Sequence, residues 1–399
     1  MRDPAAFLRT EYGELVAQGL DWKTHVLVGP STPWCTVDGR KVLMLCSNNY
    51  LGFSDHPRLK EAAIRAVQTH GAGSGSVRTI AGTMDLHVEL ERRLAKFKEA
   101  EASLVYQTGY AANSGLIPQL AGAEDLIVSD ELNHGSIIDG VRLSRAERGV
   151  YRHADTDDLK RVLEEAERHA PAYRRILIIT DGVFSMDGDI APLDRVARLA
   201  KEHGAMVYVD DAHGEGVLGE NGRGIVSHFR LSRDEVQVEM GTFSKAFGVV
   251  GGHISGSRDL VNFAHDKSRT LLLTGSSPPA VVAACIAAID LLESEPQHVL
   301  RLWDNTRYFR KAMVGLGFDT GRSETPILPI MVGESAVARR LSERLLEEGV
   351  FALPIVFPMV AKDRARIRTM LNSALSREDL DFAVGAFEKA GRELGLLKR

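Results

Sequence analysis

Residues 207–216 read VYVDDAHGEG. Valine and tyrosine give the run the composition of a buried strand, and it ends in two adjacent acids, Asp210 and Asp211, with His213 close behind. Burying ionised carboxylates is unfavourable unless a charged partner offsets the loss of water. The stretch therefore predicts a strand tip that faces a cation. Working outward, the strand is expected over 205–210, after PLDRVARLAKEHG (192–204), whose apolar residues fall at helical spacing. Pro192 near the start of that helix and Gly204 just past its end are the usual punctuation. Further strands are expected over 126–129, 176–180 and 236–240, and DDLKRVLEEAERH (157–169) reads as an amphipathic helix. This alternation predicts an α/β fold with a large, mostly parallel sheet covered by helices. In open sheets of this kind ligands gather at the carboxyl ends of the strands, where Asp210 and His213 fall.

The flanks differ in texture. LHVELERRLAKFK (86–98) places Leu86, Leu90, Leu94 and Phe97 on one helical face, with Glu89 and Arg93 spaced as an i,i+4 pair. After about residue 290 come a long helical pattern over 291–317, a strand-like PILPIMVG (326–333), a helix around 335–349 and a last helix from 377. The chain is expected to divide into an N-terminal arm (1–45), a large domain (46–290) and a smaller α+β domain (291–399).

The 399 residues are 44% apolar and 26% charged, the composition of a globular chain. A net charge of -5 argues against non-specific binding to nucleic acid or to an anionic membrane surface. Cys35, Cys46 and Cys285 are odd in number and irregularly spaced, which fits reduced thiols and a cytoplasmic setting. The longest apolar stretch, AVVAACIAAI (280–289), is too short to span a bilayer.

Three segments carry chemistry. GAGSGSVRTIAGT (71–83) superficially resembles a dinucleotide loop, but no strand precedes it, so a nicotinamide site is not expected. The DDAH run could be solvated, could ligate a metal, or could pair a carboxylate with a protonated pyridine ring; no other histidines stand at ligand spacing, and no metal is expected. In GTFSKAFGVVGG (241–252), Lys245 follows a strand-like segment among Thr242, Ser244, Phe243 and Phe247. A desolvated lysine has a lowered pKa and forms Schiff bases, and hydroxyls suit a phosphate. A pyridine-pairing acid, a Schiff-base lysine and phosphate-binding hydroxyls together describe pyridoxal phosphate.

The sequence resembles the α-oxoamine synthases, pyridoxal-phosphate enzymes of fold type I, through SNNYLGF (47–53), GSGSVRTIAGTMDLHVELE (73–91), DELNHGSIIDG (130–140), TDGVFSMDGDIAPL (180–193), VDDAHGEGVLGENGRG (209–224), TFSKAFG (242–248) and RARIR (364–368). The resemblance implies that Lys245 forms the Schiff base and moves the substrate Cα proton. It implies that Asp210 pairs with the ring nitrogen, and that His213 and Ser185 lie by the phenolic oxygen while His134 stacks on the ring. The backbone of Gly109 and Tyr110 and the hydroxyls of Thr242 and Ser244 are expected at the phosphate, with Thr274 and Gly275 reaching it from a second subunit of a homodimer. Asn48 and Arg368 are expected to hold the amino-acid carboxylate; position in the motif selects Asn48 over Asn49, and Arg368 over Arg364 and Arg366.

The resemblance further implies condensation of an amino acid with an acyl-CoA, releasing CoA and carbon dioxide and leaving an α-amino ketone. NNYLG and GVFSMDGD are most similar to the glycine and acetyl-CoA member, so glycine C-acetyl transfer is the expected activity. DDAHG leans toward the alanine and pimeloyl-CoA member; the serine and palmitoyl-CoA reaction, and an aminotransferase of the same fold, are the alternatives. One departure stands out: an SAAHT-like stretch is replaced by NSALS (372–376), with Leu375 in place of the histidine. This is expected to remove a polar group near Arg368.

Overall fold

A computed structural model describes residues 3–397 apart from 19 and 22. Residues 1, 2, 19, 22, 398 and 399, which belong to the expected arm and small domain, lie outside the described residues. The large sheet has seven strands: β1 Ala102–Tyr106, β2 Leu126–Asp130, β3 Glu147–Tyr151, β4 Ile176–Asp181, β5 Met206–Asp210, β6 Val238–Thr242 and β7 Gly252–Gly256. Their order is β1-β7-β6-β5-β4-β2-β3. β2 to β6 pair in parallel, while β7 runs antiparallel to both β1 and β6.

Side chains alternate between the two faces of a strand, and both faces are covered. Val207 and Val209 enter the main core with Ile178, whereas Tyr208 joins a second core with Leu177 and Ile179 beneath helix Gly109–Leu120. The same alternation separates the two acids at the tip of β5. Asp210 continues the face of Tyr208, and Asp211 turns to the opposite face, an outcome of the two-residue period alone.

The expected helices at 157–169 and 192–204 appear as Thr156–Glu167 and Leu193–Glu202, with Gly204 at φ +64° closing the second. The single helical pattern expected over 291–317 is two helices, Pro279–Ser294 and Gln297–Leu316, interrupted at Pro296. A smaller antiparallel sheet joins Ile327–Gly333, Ala365–Met370 and the short Pro354–Ile355. Strands Trp34–Val37 and Arg40–Met44 pair with each other, and Val350–Phe351 adds to them in parallel, which ties the beginning of the chain to its end. Among the described residues no helix is long and apolar enough to cross a membrane, and the three cysteines are unpaired.

Candidate active site

The carboxyl ends of β4, β5 and β6 bring the central groups together. Asp210 ends β5 fully inside the protein. Its Oδ2 accepts from Asn113 Nδ2 at 2.7 Å and its Oδ1 from the Ala212 N–H at 3.0 Å, so the carboxylate is held in one orientation. Asn113 is itself fixed, because its Oδ1 accepts from the Tyr208 hydroxyl at 2.8 Å and its Nδ2 also reaches Ser136 Oγ at 2.8 Å. Beside it in register lies Asp181 on β4. Burial and the neighbouring Asp210 push the Asp181 carboxyl well above its usual range, while the His134 N–H donates to its Oδ2 at 2.9 Å.

Lys245 lies in the turn after β6, and its Nζ has no hydrogen-bond partner among the described residues. Burial lowers its pKa to about 8, with Arg368 adding to the shift and Asp210 and Asp181 opposing it. A lysine tuned this way holds a sizeable neutral, nucleophilic fraction near pH 7. His213 is pushed well below its ordinary value by burial first and then by the charges of Lys245, Arg368 and His134. The buried Tyr50 hydroxyl sits 2.8 Å from His213 Nδ1 and has no other acceptor among the described residues, so it donates there and leaves His213 neutral with Nε2–H free. His134 caps helix Gly135–Leu143, its Nδ1 within 2.7 Å of Ser136 Oγ, and burial again holds it low.

Gly109 and Tyr110 open a twelve-residue helix whose first N–H groups no intrahelical carbonyl can reach. Thr108 caps Ala111, so the free N–H groups and the positive end of the helix dipole are available to an anion. Thr242 stands alongside, since a Cβ at Gly109 would lie 3.5 Å from it. Its hydroxyl, however, donates to the Gly251 carbonyl at 2.6 Å, which leaves the exposed Ser244 as the freer donor. Tyr110 spends its own hydroxyl on Asp139. The Thr274–Gly275 segment packs on its own chain, with the Gly275 carbonyl accepting from Gln107 Nε2 at 2.7 Å.

Neighbouring residues differ in how far their hydrogen bonds are already engaged. Asn49 is committed to the loop, donating to the Ser31 carbonyl at 3.2 Å and accepting from the Ser54 N–H at 3.4 Å, whereas Asn48 Oδ1 is buried without a partner. Arg366 is neutralised by Asp187 at 2.5 Å and also donates to the Met186 carbonyl. Arg368 has no carboxylate within 4.0 Å among the described residues; its guanidinium donates to the Ser185 carbonyl at 3.0 Å. Ser185 thus positions an arginine through its backbone. An unpaired guanidinium and an orphaned carboxamide suit a carboxylate ligand.

Leu375 is buried. Its side chain lies in the main hydrophobic core, and its carbonyl accepts from Asn305 Nδ2 at 2.9 Å. The 372–376 stretch acts on the 49–52 turn. Ser373 Oγ donates to the Leu51 carbonyl at 2.7 Å, and a Cβ at Gly52, where φ is +71°, would meet Ala374 at 2.9 Å.

Asp211 answers the other half of the charge question. It enters a sealed cluster in which Lys98 Nζ lies 3.6 Å from Asp211, 3.3 Å from Glu215 and 2.5 Å from Glu239. Arg233 pairs with Glu239 at 2.7 Å, and His253 Nε2 meets Glu215 at 2.9 Å. Three acids share two permanent cations. Burial raises the Asp211 carboxyl well above its usual range, with Glu239 and Glu215 adding to the shift and Lys98 opposing it. Because Asp210, Asp211 and His213 point to Asn113, Lys98 and Tyr50 respectively, the DDAH run does not converge on a single ion.

Asp181, Asn113, Tyr208 and Tyr50 escape the sequence reading, although TDGVFSMDG and SNNYLGF contain two of them. Comparison with known proteins completes the picture. The family described as aminotransferase class I and II matches residues 40–387. An 8-amino-7-oxononanoate synthase of Symbiobacterium thermophilum is 55% identical over 391 residues, covering 98% of this chain and 99% of the relative. The serine palmitoyltransferase of Sphingomonas wittichii superposes with a TM-score of 0.92 at 32% identity, covering 100% of both chains. A serine palmitoyltransferase solved with its pyridoxal phosphate gives 0.92 at 30% identity, covering 99% of this chain and 100% of that one. The oriented acid, the low-pKa lysine and the open helix terminus fit that coenzyme, and the chain belongs to the aminotransferase class I and II family, among its α-oxoamine synthases.

Proposed function

We propose that this protein condenses alanine with a pimeloyl thioester to give 8-amino-7-oxononanoate, as a homodimer in the cytoplasm. The observation that carries the reading is full-length similarity at 55% identity to a synthase of that name. This outweighs the short NNYLG and GVFSMDGD likenesses that favoured glycine and acetyl-CoA. The carbon count agrees: three from alanine and seven from the acyl group, less one lost as carbon dioxide, leave the nine of the nonanoate.

Bound pyridoxal phosphate would supply an electron sink for the carbanion left at the amino-acid Cα. Asp210 would stand at the ring nitrogen, His134 and His213 at the ring, and Gly109, Tyr110, Thr242 and Ser244 at the phosphate, with Thr274 and Gly275 contributed across the dimer. Arg368 and Asn48 orient the amino-acid carboxylate, which fixes the Cα–H bond relative to Lys245. Lys245 Nζ then takes that proton and returns it, a role its pKa of about 8 suits. Neutral His213 offers a hydrogen bond without adding charge.

Thiol release from pimeloyl-CoA with alanine should exceed that from acetyl-CoA with glycine by at least about tenfold, a difference of roughly 1.4 kcal/mol in transition-state binding. Equal rates, or faster acetyl-CoA turnover, would reject the proposal. The lysine makes a second expectation. Capture of pyridoxal phosphate by apoprotein needs the free amine, so its rate should rise about tenfold per pH unit below pH 8 and level off above. Growth of Schiff-base absorbance measures this, and a rate that is flat between pH 6 and 9 contradicts it.

A further inference from the structure

Next to Arg368 lies a cavity of about 630 Å³ that the site described above does not use. Ser185 and Met186 form its edge toward Arg368, and Met331 and Met359 contribute further to the wall. Methionine is flexible and polarisable, which suits a polymethylene chain. Two arginines, Arg322 and Arg364, also line the cavity, and neither has a carboxylate or hydrogen-bond partner for its guanidinium among the described residues. The acids of the wall are mostly spent. Asp187 is paired with Arg366, and Asp189 with His153, which burial alone would lower but which hydrogen bonds to Asp130 and Asp189 raise to about 10. Asp319 accepts from the Gly321 N–H and is the remaining acid, against two unpaired cations.

We infer that this cavity receives the acyl chain and that Arg364, with Arg322, selects chains that end in a carboxylate. The inference rests on the proposed condensation and names the group that sets its acyl specificity. Spacing supports it. Arg364, Arg366 and Arg368 follow one another at every second position, and at about 3.3 Å per extended residue Arg364 starts about 13 Å from Arg368. The ten-carbon adduct that precedes decarboxylation has a nine-carbon main chain with a carboxylate at each end, which spans on the order of 10 Å at a reach of roughly 1.2 Å per bond. Arginine side chains cover the difference. With Arg368 on the amino-acid carboxylate and Arg366 silenced by Asp187, Arg364 is the next guanidinium that a distal carboxylate meets.

The test compares pimeloyl-CoA with heptanoyl-CoA, equal in carbon number but methyl-terminated. Holoenzyme is titrated calorimetrically with each in the absence of amino acid, and alanine-dependent thiol release is then measured. Wild-type protein should bind pimeloyl-CoA at least about tenfold more tightly, as one charge-assisted pair allows. The double variant Arg322→Gln/Arg364→Gln should lose that preference, with kcat/KM for pimeloyl-CoA down about 10- to 50-fold and that for heptanoyl-CoA within about twofold. Arg364→Lys should retain part of the preference. A preference that survives in the double variant, or an equal loss with both thioesters, overturns the inference while leaving the condensation standing. Wild-type protein that turns over acetyl-CoA with glycine but not pimeloyl-CoA overturns both.

Discussion

Lys245→Ala should lower thiol release by at least about 10⁴-fold, because one amine serves both as the covalent tether and as the proton carrier, and proton transfer alone contributes 10²- to 10⁴-fold. The fold should survive. Lys245 Nζ makes no hydrogen bond among the described residues, and burial with Arg368 disfavours its charge more than Asp210 and Asp181 support it. The melting temperature of the variant should therefore match that of the wild type to within about 1 °C, on the order of 1 kcal/mol at this size. Borohydride should no longer fix the coenzyme to the peptide containing residue 245. Residual activity above one per cent would show that another base moves the Cα proton.

The largest effect on stability is expected in the ionic cluster behind the tip of β5. Lys98→Met leaves Asp211, Glu215 and Glu239 in a sealed interior with only Arg233 as permanent cation. Removing one partner of a buried ionic group costs about 3–5 kcal/mol, since the three acids are then left with too little compensating charge. Denaturant unfolding followed by circular dichroism measures the loss, and a change below about 1 kcal/mol would contradict the arrangement. Asp211→Asn should behave differently. The folded Asp211 holds its proton more tightly than the unfolded chain does, so its contribution is present at low pH and declines as pH rises above about 4 toward the raised folded value. Asparagine keeps the acceptor for the Ile225 N–H without that decline. The destabilisation by Asp211→Asn should accordingly be smaller at pH 8 than at pH 5.

What could be read from the chain depended on distance along it. β2, β4 and β5 stand out because they are continuous apolar runs, and Asp210 and Lys245 follow from short motifs at the strand ends. β3 escaped because ERGVY is a charged edge strand with an exposed pattern, and β7 because GHISG carries two glycines and a histidine in place of branched apolar residues. β6 lies two residues later than expected, which brings Thr242 into its last position. The partners of the catalytic groups were hidden for another reason. Tyr50 meets His213 across 163 residues, and Asn113 meets Asp210 across 97. No local pattern encodes such pairings. Lys98 ends an amphipathic run whose periodicity marks a helix face, and nothing in that periodicity distinguishes a buried ammonium from a solvated one.

The reversed strand β7 also acts as a ruler. Running against its neighbours, it places Gly252 beside Tyr106 and Thr242 at once, so the 107–110 turn and the 242–245 turn flank its first residue. A methyl group at position 252 would sit 2.3 Å from the Thr108 carbonyl oxygen, and Gly251 adopts φ +147°. The gap between the two turns is therefore two inter-strand steps of about 4.8 Å each, set by main chain alone. Substituting the hydroxyls and amides that line the gap would change what it binds and leave its width unaltered.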